Sequence, residues 1–337
     1  MTGPASTKRK GLQAMMSSQT CSTKLALVTS ILLSIANQEV AAQDLPLLAT
    51  LSTPGVASTN QQPNVPLIDE LEQDRGALLL CGGGPLPTSV LELFFQYGRG
   101  QEGKLVIIPT ASALSDSGDF SREAGSWSDF NWGKVDVLHA ANRQEAETEE
   151  FATTLKDATA VWMSGGDQRR LAERYQGTSV ETEIRNVMHR GGVVGGTSAG
   201  SAIASRVMIS GGRKQPQIAS GLDLLPNAII DQHFTQRLRH DRLASAVASH
   251  PERVGIGIDE STGLLVGKKR AHVVGDGAVY VCASYKKPAK TVRTDRDQKE
   301  TETETDSSVT TVEFRTMRVA PGEVLESHGF PLLAPRP

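Results

Sequence analysis

Apolar positions in this chain come in short dense runs separated by amphipathic stretches. GALLLC at Gly76–Cys81, KLVII at Lys104–Ile108, Val135–Leu138 and Ala158–Met163 are four such runs, each of a length that suits a buried strand. Between the first two, Pro87–Tyr97 sets Val90, Leu91, Phe94 and Phe95 on one side of a helix. The serine-rich stretch from Ala111 to Glu123 reads as a loop leading into a helix. Glu145–Lys156, Leu171–Tyr175 and Val180–His189 read as helical. Buried strands alternating with helices predict a mostly parallel sheet covered on both faces, a three-layer α/β/α arrangement.

The helix at Val180–His189 delivers the chain to RGGVVGGTSAGSAIAS, Arg190–Ser205, around which the rest is organised. Val193 and Val194 suit a buried strand, Gly195 and Gly196 permit a sharp turn, and Ala199, Gly200, Ser201 and Ala202 are small enough for the next helix to sit close to the sheet. Gly196-Thr197-Ser198-Ala199-Gly200 fits the G-x-S-x-G form of a nucleophile elbow, which would hold the Ser198 hydroxyl at a strand end beside unpaired helix-start N–H groups. A phosphate cradle is the rival for such glycines. No lysine follows them, and neither GxxxxGK[ST] nor GxGxxG occurs.

After the elbow, Ser210–Ser220 reads as a loop, Asp223–Pro226 as a turn, Ala228–Asp231 as a short strand and Gln236–Ala248 as a helix. Val254–Ile258 is a strand ending in Asp259-Glu260. Leu264–Val266, Ala271–Val274 and Ala278–Cys282 predict a C-terminal antiparallel extension, and Val309–Val319 returns to strand-like alternation. Residues 287–307 are highly charged and poor in apolar side chains, which predicts a mobile loop inside a folded domain spanning residues 75–330.

Composition narrows the partners. A formal charge of −3 over 337 residues offers no global basic field for nucleic acid. Residues 1–43 resemble a secretory signal: Lys8, Arg9, Lys10 and Lys24 precede the apolar run Leu25–Ala36, and Val40-Ala41-Ala42 offers a cleavage point. That run is too short for a membrane span. The expectation is therefore a secreted or periplasmic protein, with a cytoplasmic one if the segment is not a functional signal. Residues 44–74 read as a linker or arm. Cys81 and Cys282 lie in apolar runs and read as buried free thiols. With no HExxH and scattered histidines, no metal site and no cofactor are expected.

Serine hydrolysis needs a base and an orienting acid. His233 follows one short strand and Glu260 ends another, so both should reach the edge of the sheet where Ser198 sits. Asp231 and Asp259 compete for the orienting role. The order serine, histidine, acid departs from that of the α/β-hydrolases.

Four stretches then carry a resemblance: GGDQ at 165–168, GGTSAGSA at 195–202, DQHFTQRLRHDRL at 231–243 and GIGIDESTGLLV at 255–266. In this order they resemble the cyanophycinase branch of the S51 serine peptidases, relatives of aspartyl dipeptidase. The resemblance implies a class I glutamine amidotransferase-like fold and a homodimer. It implies that cyanophycin, a poly-aspartate with arginine on each side-chain carboxyl, is hydrolysed to β-aspartyl-arginine through an acyl-enzyme. By matching position, Ser198 is the nucleophile, His233 the base and Glu260 the orienter. Ala199, Gly165 and Gly166 supply the oxyanion hole. Gln168, Asp231, Gln232, Arg237, Arg239 and Arg242 contact substrate, the arginine forks suiting carboxylates. The family often has alanine where this chain has Ser201. Two alternatives remain open, a related peptidase acting on short aspartyl peptides and a non-catalytic binding domain of the same fold. A glutamine amidotransferase would need cysteine at position 198.

Overall fold

The computed structural model describes residues 76–268, 270–286 and 312–326. The leader at 1–43, the arm at 44–74 and the charged stretch at 287–307 lie outside the described residues.

The four N-terminal apolar runs form parallel strands: β1 (Ala77–Cys81), β2 (Lys104–Ile108), β3 (Lys134–Val137) and β4 (Ala160–Met163), joined by β5 (Val193–Thr197). Their order is β1-β5-β4-β2-β3, with every adjacent pair parallel. β10 (Thr262–Val266), β11 (Arg270–Gly275) and β14 (Val324–Glu326) continue the sheet antiparallel beyond β1. The strand period of two divides the apolar side chains between the faces. Leu78, Leu80, Val106, Ile108, Val161, Met163 and Val194 pack with α5 (Gln168–Tyr175), α6 (Ser179–His189) and α7 (Ala199–Ala202). Ala77, Leu79, Leu105, Ile107, Trp162 and Val193 pack on the other face with α1 (Thr88–Tyr97) and with Trp127 and Trp132. This is the expected three-layer sandwich. Each large aliphatic side chain so buried contributes about 1.5–3 kcal/mol.

The second face carries a dense aromatic cluster. The Trp127 ring lies 5.1 Å from Phe94 and 5.1 Å from Trp162, and Trp132 lies 6.0 Å from Trp127. Trp127 lies two residues beyond the end of α2 (Ser121–Gly125), so ring packing anchors that short helix to the sheet.

A second, four-stranded sheet runs β13-β12-β9-β8, comprising β13 (Val312–Val319), β12 (Val279–Lys286), β9 (Val254–Ile258) and β8 (Ala228–Gln232). α8 (His240–Ser249) covers it through Leu243, Ala246 and Val247. The predicted C-terminal extension is therefore divided. β10 and β11 join the main sheet, whereas β12 pairs with β9 and along its whole length with β13.

Three local expectations are corrected. The loop at 210–220 is largely a hairpin of β6 (Val207–Gly211) and β7 (Gln217–Ser220). The helix at 145–156 is broken into α3 (Arg143–Ala146) and α4 (Glu149–Ala152), because Thr148 Oγ1 accepts from Phe151 N at 3.2 Å and caps a new helix. α8 begins at His240 rather than Gln236. Residues 233–239 make tight turns instead, with His233 at φ 50° and Leu238 at φ 52°. Cys81 and Cys282 are free and buried.

Candidate active site

The elbow is built by close approach. A Cβ on Gly196 would lie 2.6 Å from the carbonyl carbon of Gly200, and one on Gly200 would lie 2.1 Å from the Met163 carbonyl oxygen. Only glycines let α7 start so near β4 and β5. The turn forces Ser198 to φ 53°, ψ −110°, a conformation that L-residues rarely hold. It is held there because Ser198 N donates to Cys81 O at 2.9 Å, while Ser201 N and Ala202 N donate to Ser198 O at 3.0 Å each. Ser201 is fully buried, and its Oγ bridges Cys81 and Gly196: it accepts from Cys81 N at 2.8 Å and faces the carbonyl oxygens of both at 2.7 Å. A serine at this position thus ties the elbow to β1.

His233 is brought to Ser198 by the turn after β8. Its N–H donates to Gly82 O at 2.7 Å, and the ring reaches back so that Nε2 lies 2.8 Å from Ser198 Oγ. On its other side Nδ1 lies 2.5 Å from Glu260 Oε1. An ionised carboxylate can only accept, so Nδ1 carries the proton and Nε2 offers a lone pair to the serine hydroxyl. Burial lowers the His233 pKa from its ordinary value, and the hydrogen bond that Nδ1 donates to Glu260 opposes that shift. The imidazole is therefore neutral near pH 7. Glu260 is steadied by its own N–H, which donates to Gln236 Oε1 at 3.1 Å.

Gly82, Gly83 and Gly84 wrap this array. A Cβ on Gly83 would lie 2.2 Å from His233 Cε1, and one on Gly84 would lie 3.0 Å from Glu260 Cβ. The sequence shows these glycines only as the abrupt end of a strand. Three in succession after a buried run are the signal that could have marked them as part of a site.

The two rival acids are committed elsewhere. Asp259 Oδ1 accepts from Thr235 N at 3.0 Å and Thr235 Oγ1 at 2.7 Å, and Oδ2 accepts from Ala278 N at 3.2 Å. Asp231, expected to contact substrate, is fully buried behind the site. Its Oδ2 accepts from Arg242 Nε at 2.9 Å, and its Oδ1 accepts from Arg239 Nη1 at 3.1 Å and from Arg242 Nη2.

A cavity of about 930 Å³ opens over Ser198, a size that suits a peptide-like ligand. Gly165, Gly166, Gln168, Gln232, His233, Arg237, Arg239 and Arg242 all border it. A Cβ on Gly165 would lie only 3.5 Å from Ser198 Cβ, so the turn after β4 faces the elbow. Ala199, first residue of α7, is buried beside it, and its N–H has no preceding helical turn to serve.

The polar residues differ in freedom. Gln168 Nε2 is spent on Ile209 O at 2.8 Å, and Arg242 Nη1 on Gly212 O at 2.6 Å, so both hold the β6–β7 hairpin. Arg239 donates through Nη1 to Asp231 and to Gln232 O, and burial lowers its pKa to about 10. Arg237 is exposed, and its guanidinium makes no hydrogen bond or ion pair with another described residue. Ser164 Oγ, Thr197 Oγ1 and Gln232 Oε1 are buried at the cavity without a partner, which marks a surface built to be completed by a polar ligand or water.

Two stretches bordering the cavity were not expected from the sequence. They are Ser112–Leu114 after β2, and Arg122, Glu123 and Ser126 on and just after α2. Among the described residues no group of three or more His, Cys, Asp or Glu side chains could hold a metal, and no helix is long and apolar enough to cross a membrane.

Comparison with known proteins follows the same residues. The family model of peptidase family S51 matches residues 78–274. A cyanophycinase of Synechococcus elongatus is 35% identical over 220 residues, covering 61% of this chain and 68% of its own. A peptidase E of a Nostoc species is 25% identical over 190 residues, covering 53% of this chain and 75% of its own. The crystal structure of a peptidase from an acI-B1 Actinobacterium superimposes with a TM-score of 0.51 at 26% identity, covering 62% of this chain and 91% of that one. The chain belongs to peptidase family S51, as a serine peptidase of the cyanophycinase type.

Proposed function

We propose that this protein hydrolyses cyanophycin to β-aspartyl-arginine, with Ser198 as nucleophile, His233 as general base and acid, and Glu260 as the group that orients His233. The observation that carries the proposal is the unbroken chain from Glu260 Oε1 through both ring nitrogens of His233 to Ser198 Oγ, with spacings of 2.5 and 2.8 Å, at the floor of the cavity. The likeness to cyanophycinases supports the substrate class.

The released dipeptide keeps its isopeptide link, so the bond that breaks is an amide of the aspartate backbone. Ser198 Oγ attacks its carbonyl carbon while the hydroxyl proton passes to His233 Nε2. Charge develops on the carbonyl oxygen, and the N–H groups of Ala199 and of the Gly165-Gly166 turn are the donors assigned to it. His233 returns the proton to the departing nitrogen as the C–N bond opens, leaving an ester on Ser198. Water then attacks the ester. His233 takes a proton from it, and the Ser198 oxygen leaves as a hydroxyl by recovering that proton. Glu260 holds the Nδ1 proton throughout and stabilises the imidazolium.

Arg237, Arg239 and Gln232 are assigned to substrate contact. Gln168 and Arg242 act chiefly by holding the hairpin beside the cavity. The protein is further proposed to be exported and to act as a homodimer. Sequencing the N-terminus of the protein recovered outside the cell and sedimentation of the purified chain test those two points.

The test of function is product analysis after incubation with insoluble cyanophycin, beside Ser198→Ala. Release of β-aspartyl-arginine by the unmodified protein, falling at least about 10³-fold in the variant, is the expected result. Intact polymer with serine-dependent cleavage of short aspartyl peptides would transfer the protein to the dipeptidase reading. Loss of neither activity in the variant would overturn the nucleophile assignment.

A further inference from the structure

The topology divides the cavity into two sides. Ser198 directly follows β5, which lies between β1 and β4. On the β1 side stand the glycine turn and the His233 loop, which is hydrogen-bonded to it and carries Arg237 and Arg239. On the β4 side stand the Gly165-Gly166 turn and, beyond it, the β2–β3 connection. The two are joined where Asp167 N donates to Ala111 O at 2.9 Å. That connection brings α2 to the cavity, with Glu123 on it.

Glu123 has three properties together. It is the one carboxylate bordering the cavity among the described residues, it is half-buried, and it makes no hydrogen bond or ion pair with another described residue. An unpaired, partly desolvated carboxylate is costly, and it is relieved by a cation that brings its own donors. Its mounting is also rigid. Asp119 Oδ1 accepts from Ser121 N at 3.1 Å and Ser121 Oγ at 2.6 Å at the start of α2, and Trp127 is wedged against Trp162 and Phe94 at its end. Arg122 also borders the cavity, but it is exposed and forms no ion pair with Glu123.

We infer that Glu123 is a specificity-determining residue that binds the guanidinium of the substrate's arginine side chain, while the arginine's carboxylate meets Arg237 on the other side of Ser198. The inference rests on the proposed reaction and deepens it. Each cyanophycin repeat carries arginine through its α-amino group, so both its carboxylate and its guanidinium are free. A site with an unpartnered arginine on one side and an unpartnered carboxylate on the other matches that pair of charges. A carboxylate accepts the guanidinium fork through two parallel hydrogen bonds.

The test compares two soluble aspartate oligomers, one bearing arginine on every side-chain carboxyl and one bearing citrulline, which keeps the shape and loses the charge. The full chain should favour the arginine oligomer in kcat/KM. In Glu123→Gln that preference should fall by roughly 10- to 100-fold, carried by KM rather than kcat. Glu123→Asp, which keeps the charge on a shorter arm, should recover part of it. Far-UV circular dichroism and the melting temperature confirm that both variants are folded. If the unmodified chain cleaves the arginine oligomer through Ser198 and Glu123→Gln keeps the same preference, the Glu123 assignment falls while the proposed reaction stands. Equal losses on both oligomers would also overturn it, as they would indicate a role in structure alone. If the unmodified chain cleaves no arginine-bearing oligomer, the proposed reaction fails and the assignment with it.

Discussion

On the β1 side of Ser198 nearly every polar side chain is fixed by another polar group. His233 is held from both ring nitrogens, Asp259 by three donors, and Asp231 by two arginines. On the β2 side the wall is held mostly from behind. α2 rests on a cluster of indole and phenyl rings, and the preceding loop is moored by Asp116 to Arg170 at 2.7 Å and Arg174 at 2.9 Å. Its charged cavity-bordering side chains, Arg122 and Glu123, make no hydrogen bond or ion pair with another described residue. Directional hydrogen bonds constrain both distance and angle, which proton transfer needs. Ring packing fixes position and leaves a polar tip free to take a ligand.

The largest effect should come from the β1 side. Glu260→Gln should lower kcat/KM by roughly 10²–10⁴-fold, because the imidazolium loses its counter-charge and the tautomer its anchor. The pH profile of the same variant sharpens the point. In the proposed reaction His233 must be neutral to accept a proton, so activity should be lost as pH falls through its pKa. Burial sets that value below the ordinary 6.5, so the acid limb of kcat/KM should have its midpoint below 6.5. Glu260 raises the pKa, so removing its charge should move that limb to still lower pH. An unmoved limb in the variant would contradict the pairing.

Asp231→Ala tests the buried scaffold under the same wall. Arg239 and Arg242 would be left with no carboxylate partner in a buried site, at a cost of about 3–5 kcal/mol in unfolding free energy by urea denaturation. A loss below about 1 kcal/mol would mean that solvent reaches the arginines. Asp116→Asn on the β2 side should do least. The Arg170 and Arg174 guanidiniums hold the Asp116 pKa at about 2, yet its side chain is 46% exposed, so the ion pairs are screened. The loss of stability should stay under about 1 kcal/mol, with KM rising a few-fold as the loop loosens. Because its folded pKa lies below the unfolded value, this small contribution is present above pH 4 and is lost as pH falls towards 2. A larger loss from Asp116→Asn than from Asp231→Ala would reverse the comparison.

The same division governs what could be read from the chain. The parallel strands, the elbow and the histidine and acid that meet it follow from dense apolar runs and from polar residues at strand ends, which are local signals. Asp231 reads the same locally whether it faces a ligand or an arginine, and only the fold shows Arg239 and Arg242 closing on it. The β6–β7 hairpin was hidden because Gly211, Gly212 and Pro216 dominate its sequence, and Ile218, the lone large apolar residue of β7, points outward at 39% exposure. The strand at 278–282 was legible as a strand. Its departure to a second sheet was not, since pairing partners far apart in sequence leave no mark on either segment alone. The β2-side wall left the least trace, because Arg122 and Glu123 lie in a polar stretch with no periodicity, and Trp127 finds its partners across the sheet.

All three tryptophans of the chain lie in the one aromatic cluster beneath α2, and Trp162 also borders the cavity. The protein thus carries its own optical reporter at the substrate's doorstep. With no distant tryptophan to dilute it, the indole emission comes from this one cluster, which serves as a local chromophore. A charged ligand settling between Glu123 and Ser198 would change the polarity seen by that chromophore, and its arrival could be followed in an unlabelled, inactive protein.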